Sequence, residues 1–229
     1  MTHIGERQDL AERLGELARR LEVQDNVDGT LQGIAYAAVG TIPGAEYAGL
    51  MSIRRRREVI TRAATDDLVR EINQAQFTFD EGPCLDAARD VSTVRRLDDT
   101  GTEERWPRFT PSARELGVGS MMSFRLFVHR DTLGSLSLMS RKPHAFTDET
   151  VHVGTLFATH AAVAMSNAET REQLNQAISA RDVIGQAKGI LMERYKMNAD
   201  QAFSVLARLS QDTNRRLVDI ARTLTNDLT

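Results

Sequence analysis

Cysteine is nearly missing from this chain: Cys84 stands alone among 229 residues. One thiol can form neither an intrachain disulfide nor a multi-cysteine metal centre. No apolar run approaches the roughly 20 residues that a bilayer span requires, and the N-terminus lacks the basic-then-apolar pattern of a signal peptide. The expected compartment is therefore the cytoplasm, with no membrane partner. Neither charge sign dominates, since 29 bases against 32 acids give a net charge of -3. Histidine is sparse as well: His3, His129, His144, His152 and His160. His152 and His160 lie eight apart with no third ligand in register, so no metal site is expected. No glycine-rich phosphate loop follows a strand and no G-x-S-x-G occurs. Asp80 and Glu81 are adjacent carboxylates at a strand end and do not face each other. Without an acid/base set, an enzyme is the least favoured reading, and no cofactor is expected.

What is present suits a soluble chain with one sizeable core and a small appended module: 41% hydrophobic and 27% charged residues. The appended module is plainest at 180–228, ARDVIGQAKGILMERYKMNADQAFSVLARLSQDTNRRLVDIARTLTNDL. Val183, Ile184, Ala187, Ile190 and Leu191 fall on one helix face. Asn198 is an N-cap with Gln201 in capping-box position, ahead of a second helix expected to bury Ala202, Val205, Leu206 and Leu209. A third helix is expected to start near Asn214, as a cap, and to bury Leu217, Ile220, Ala221 and Leu224. Helices this short are marginal alone, so the three must share a core.

With Arg181, Ile184, the run Ala187-Lys188-Gly189-Ile190-Leu191-Met192, Ala202, Leu206, Asn214 and Ala221 at this spacing, the segment resembles the ANTAR family. Tyr195-Lys196-Met197 stands where that family has a small turn. The resemblance implies an RNA-binding module of a transcription antiterminator. It implies a homodimer that grips paired RNA hairpins with short loops, so that a competing terminator does not form. RNA polymerase would be reached only indirectly, through the transcript.

Upstream, Leu31 to Val39 reads as a helix ended by Gly40 and Pro43, and 47–53 and 57–63 as strands around Arg54 to Arg57. Four arginines there suit either a nucleic-acid patch or, more simply, a solvated hairpin tip. Asp66 to Gln74 reads as a helix, Phe77 to Asp80 as a short extended piece, and Gly82-Pro83-Cys84 as the opening of a helix through Asp90. Val91 to Leu97 reads as a strand, and Thr102 to Gly117 contains a helix carrying Trp106, Phe109 and Leu116. Ser120 to His129 and Leu133 to Met139 are strands. Met122, Phe124, Leu126 and Val128 alternate there with a mixed set beginning at Met121 and Ser123, as in a half-buried antiparallel sheet. After Pro143, Thr147 caps a helix with Thr150 three residues on. The fold class is thus α+β: an antiparallel sheet flanked by helices, then a three-helix bundle joined by a long helix.

With D-E-G-P-C-L-D-A at Asp80 to Ala87 and D-T-L-G-S-L-S-L from Asp131, residues 29–168 resemble a GAF domain. The resemblance implies a sensory domain that holds an unidentified small-molecule ligand between sheet and helices; its pocket residues are not assigned. Residues 1–28 are expected to form an N-terminal helix and residues 169–229 the ANTAR-like domain. In the N-terminal segment Leu10, Leu14, Leu17 and Leu21 make a short apolar seam, for a coiled coil with a second subunit or for packing on its own domain. From Asp148 to Tyr195 no proline intervenes. One helix of that length suggests a pair between two subunits, the alternative being a break near Asn167-Ala168.

RNA-binding candidates lie on and around the first helix of the terminal unit. At 100° per residue, Arg181, Gly185, Lys188 and Met192 share a shoulder beside the apolar face, with Gly189 next to it. Glycine inside a helix costs about 1 kcal/mol against alanine. Two of them therefore point to close backbone approach, by another helix or by RNA. Arg194 and Lys196 sit at the helix end, while Arg215 and Arg216 open the third helix; gathered together they would attract phosphates. From Glu172 onward eight bases meet seven acids, a balance of +1, so the placement of charges matters more than their sum. Loop bases are read by stacking on aromatics or guanidinium planes, which favours Arg181 or Tyr195; Phe203 is expected in the core. Cys84 is expected to be a buried structural thiol rather than one activated at a helix start. The competing function is a DNA-binding regulator that uses the terminal helices as a helix-turn-helix.

Overall fold

The computed structural model describes residues 26–54, 58–89, 93–128 and 131–226. The leucine seam of residues 10–21, the arginine turn at 55–57, His3 and His129 lie outside them. The chain divides into two compact units between Glu169 and Thr170.

The first unit opens with α1 (Val27–Thr41), whose N-cap Asn26 accepts through Oδ1 from the Gly29 N–H at 2.6 Å. Strands β1 (Tyr47–Arg54) and β2 (Glu58–Ala64) form a hairpin. Helices α2 (Asp67–Phe79) and α3 (Pro83–Arg89) follow, then β3 (Val94–Leu97) and α4 (Phe109–Glu115). Strands β4 (Ser120–Val128) and β5 (Asp131–Ser140) complete the sheet, in the order β2-β1-β5-β4-β3 with every pair antiparallel.

Register explains the core. Leu136 lies opposite Phe124 on one side and Leu50 on the other, with Leu138 opposite Met122. That face packs on Leu31 and Ile34 of α1 and on Phe157, Ala161 and Met165 farther along the chain. The mixed face is not solvated, contrary to the half-buried expectation. Met121 and Ser123 are fully buried, because Ile72 of α2, Leu85 of α3 and Phe109 of α4 cover that side. Phe77 to Phe79 are helical rather than extended. The Asp66 cap and the apolar face of Leu68, Val69 and Ile72 carry α2 on until Asp80 ends it in the left-handed region at φ 55°. Trp106 precedes α4 and donates from Nε1 to Asp86 Oδ2 at 2.9 Å.

Helix α5 runs unbroken from Asp148 to Tyr195, so the break near Asn167 does not occur. Thr147 and Thr150 cap its start reciprocally: each backbone N–H donates to the other's hydroxyl oxygen, at 3.1 and 3.4 Å.

The second unit contains the remainder of α5, α6 (Ala199–Thr213) and α7 (Leu217–Asn226). Asn198 Oδ1 accepts from the N–H groups of Asp200 and Gln201 at 3.1 and 2.9 Å, and Gln201 Oε1 accepts from the Asn198 N–H at 2.9 Å, the expected capping box. Ala187, Leu191, Ala202, Leu206 and Ala221 form the buried core, ringed by Val183, Ile184, Met197, Leu217, Ile220 and Leu224. Three of the five core side chains are single methyls, which lets the helices lie close.

Two expectations fail here. Asn214 ends α6 rather than starting α7: it takes φ 51°, and the Arg215 N–H returns to the Ser210 carbonyl. The reason is local, since asparagine tolerates the left-handed cap conformation better than most residues. Val205, Leu209 and Phe203 are exposed by 36%, 44% and 45%. The core is only as wide as α7 can cover, and α6 carries more apolar surface than that.

Candidate nucleic-acid interface

Arg181, Gly185, Gly189 and Met192 are exposed, and Lys188 is half-buried with Nζ 6.0 Å from the centre of the Phe203 ring. A Cβ added at Gly185 or at Gly189 would meet nothing within 4 Å. Among the described residues no neighbouring helix therefore requires those glycines. The backbone there is bare, beside two cationic side chains.

A second group of residues surrounds the end of α5. Tyr195 is 61% exposed, and Arg194 and Lys196 project into solvent. Lys196 turns the chain at φ 53°, a conformation glycine would adopt more readily. Its Nζ lies 2.7 Å from Glu193 Oε1, an exposed pair of little energetic weight. Arg215 and Arg216 stand just ahead of α7 rather than inside it. Arg215 donates to Thr223 Oγ1 at 3.2 Å. Arg216 grips Asp219 with two hydrogen bonds of 2.9 and 3.2 Å, and Arg222 lies 3.5 Å from the same carboxylate. The Arg216 hydrogen bond holds the Asp219 carboxyl below its usual range.

Tyr195 and Arg215 line one open groove of about 550 Å³, floored by Leu206, Leu209, Ile220 and Leu224. The nine predicted residues thus fall mainly into two places. Arg181, Lys188, Gly189 and Met192 mark the shoulder, with Tyr195 and Arg215 at the groove. Arg194 and Lys196 flank Tyr195 in sequence, and Arg216 flanks Arg215. Sequence reasoning missed Phe203 beside Lys188, and Leu209 and Thr223 in the groove. The available signal was the width of the α6 stripe, Ala202, Val205, Leu206 and Leu209, which exceeds what one small partner helix covers.

In the first unit, Cys84 is fully buried, its Sγ 3.2 Å from Ser123 Oγ and its N–H donating to Gln76 Oε1 at 2.9 Å. Burial pushes the thiol pKa up, so the helix start does not activate it. Ser123, Ser135 and Ser137 share this face of the sheet with Asn73 and Gln76 of α2, all buried. Asp80 and Glu81 are each tied to a separate arginine, Arg89 at 2.5 Å and Arg108 at 2.7 Å. Among the described residues no three His, Cys, Asp or Glu side chains gather to hold a metal, and no helix is long and apolar enough to cross a membrane.

The GAF domain model matches residues 24–166 and the ANTAR domain model residues 172–224. The anaerobic nitric oxide reductase transcription regulator NorR of Shigella dysenteriae is 27% identical over 173 residues, 68% of this chain and 34% of that protein. The chain therefore spans about a third of the length of that relative. The GAF domain of a phosphoenolpyruvate-protein phosphotransferase from Coxiella burnetii superposes with TM-score 0.55 at 16% identity, over 72% of this chain and 98% of that one. Bacteriophytochrome RpBphP3 from R. palustris gives TM-score 0.62 at 12% identity, over 87% and 46%. At such identities the likeness is one of fold. Both matched domains are regulatory rather than catalytic. The chain belongs to the GAF domain family and carries an ANTAR domain behind it, the domain order of a GAF–ANTAR regulator.

Proposed function

We propose that this chain works as a homodimer that grips paired small-loop hairpins in nascent transcripts, so that a terminator does not form, in response to a small molecule held by its GAF domain. The observation that carries the reading is the bare backbone at Gly185 and Gly189 beside Arg181 and Lys188. Two in-helix glycines cost stability, and none of the described residues of their own unit uses the space they leave. A phosphodiester backbone uses both the space and the cations.

The dimer is supported by α5. Leu156, Val163, Leu174 and Ile178 are exposed by 48%, 49%, 62% and 54%, and they fall on one stripe at helical spacing. A second copy of that stripe covers them, and a signal felt in one sensory domain then has a shared element to act on. Regulation requires that the ligand bind two arrangements of the dimer unequally. The Shigella relative is by name a transcription regulator, and output at the level of transcription is extended to this chain.

The test is a competition, at one salt concentration, between duplex DNA and RNA carrying two small-loop hairpins. The RNA is expected to win. Replacing Arg181 and Lys188 together by alanine is expected to weaken RNA binding roughly tenfold and to flatten its salt dependence. Unchanged affinity in the double variant removes the shoulder from the site, and preference for the duplex replaces the reading with the DNA-binding one.

A further inference from the structure

The geometry points to a base-accepting groove in the second unit: a single nucleobase, extruded from the loop of a bound RNA hairpin, enters between α6 and α7 and stacks on Tyr195. This rests on the RNA-binding reading above and names a subsite distinct from the glycine shoulder.

The floor is apolar, with Leu206, Leu209, Ile220 and Leu224 around a space of about 550 Å³. The rim has a different chemistry. Tyr195, the last residue of α5, is 61% exposed at one edge. Arg215 also lines the groove, its guanidinium donating to the Thr223 hydroxyl at 3.2 Å. Arg216 and Arg222 converge on Asp219 at 2.9 and 3.5 Å, so three guanidiniums accompany a single carboxylate near this edge.

An unstacked base presents a flat π-face, hydrogen-bonding edges and an attached phosphate. The exposed Tyr195 ring complements the first of those features and the Arg215 guanidinium the last. The division of labour follows: the shoulder takes the sugar-phosphate backbone, and the groove takes a base.

The experiment uses the full chain and the two-hairpin RNA. Each loop nucleotide in turn is made abasic, and affinity is measured for wild type, Tyr195→Ala, Tyr195→Phe and Leu209→Arg. Tyr195→Ala and Leu209→Arg are each expected to weaken binding about tenfold, the scale of one base–aromatic stack, and Tyr195→Phe to retain it. At one loop position the abasic RNA should lose a similar factor with wild type and less than twofold with Tyr195→Ala. If the losses multiply at every position, no base sits on Tyr195 and the inference is overturned while RNA binding stands. If wild type binds no two-hairpin RNA, the RNA-binding reading itself falls and takes the groove with it. If Leu209→Arg changes the mass of the protein in solution without RNA, a second copy covers the groove and the inference is likewise overturned.

Discussion

Leu206→Ala tests whether the small core of the second unit stands independently of the large one. Leu206 is 1% exposed, in contact with a core made otherwise of three alanines and Leu191. Removing three buried carbons at about 0.8 kcal/mol each costs roughly 2.4 kcal/mol in transfer free energy. The added cavity penalty is small, because Leu206 already lines the groove and the space it vacates opens to water. The total of about 2.5–3 kcal/mol lies toward the low end of the usual Leu→Ala range. A unit spanning residues 170–229 is stabilised by on the order of 3–9 kcal/mol. The substitution therefore shifts its unfolding equilibrium about a hundredfold and its transition by roughly 10–20 °C. The chain supplies its own control, since its single tryptophan, Trp106, is buried in the first unit. Far-UV circular dichroism during heating should develop an early loss of helix, while Trp106 fluorescence keeps its original midpoint. Two signals that move together would refute the independence of the cores. A helical transition that does not move would refute the burial arithmetic.

Two further outcomes follow from local chemistry. Asn198→Ala removes the acceptor for two N–H groups of α6 and should cost about 1 kcal/mol, read as a lower midpoint in the same helical transition, with Asn198→Asp largely restoring it. Glu81 is held below its ordinary value of 4.5, first by the hydrogen bond from Arg108. Its folded value lies below its unfolded one, so its contribution is complete above about pH 4.5 and is lost as pH falls through the folded value. Urea midpoints read by Trp106 should drop between pH 5 and pH 3, and Glu81→Gln should flatten that drop; an equal slope in both proteins would remove Glu81 from the acid response.

Much of this fold is local chemistry, and that part was legible. The Asn198–Gln201 box, the Thr147–Thr150 cap, the unbroken α5 and the paired β4 and β5 each depend on residues near one another in sequence. The losses came where the answer depended on how many neighbours an apolar face has. Periodicity placed Val205 and Leu209 on the inner side of α6 without revealing that α7 leaves them bare. It put Ser123 on the mixed face of a half-buried sheet, because nothing in β4 announces that Cys84 will cover it. Asn214 carried the right identity for the wrong end of a helix: a capping residue fits an N-terminus and a left-handed exit alike. At the candidate interface, the shoulder of Arg181, Lys188 and Gly189 could be read from a helical wheel. The groove could not, because it needs the third helix in place.

Between Thr170 and Ser179 every residue of α5 is exposed. Ten consecutive exposed residues form a helix that is marginal in water on its own, so this stretch is where a protease finds its cheapest opening. Arg171 lies inside it, and Arg181 lies just beyond its end. Under the proposed dimer, limited trypsin digestion across a dilution series becomes a gauge of self-association: cleavage should quicken at the concentration where two copies of this helix separate, and a rate independent of dilution would count against the pairing.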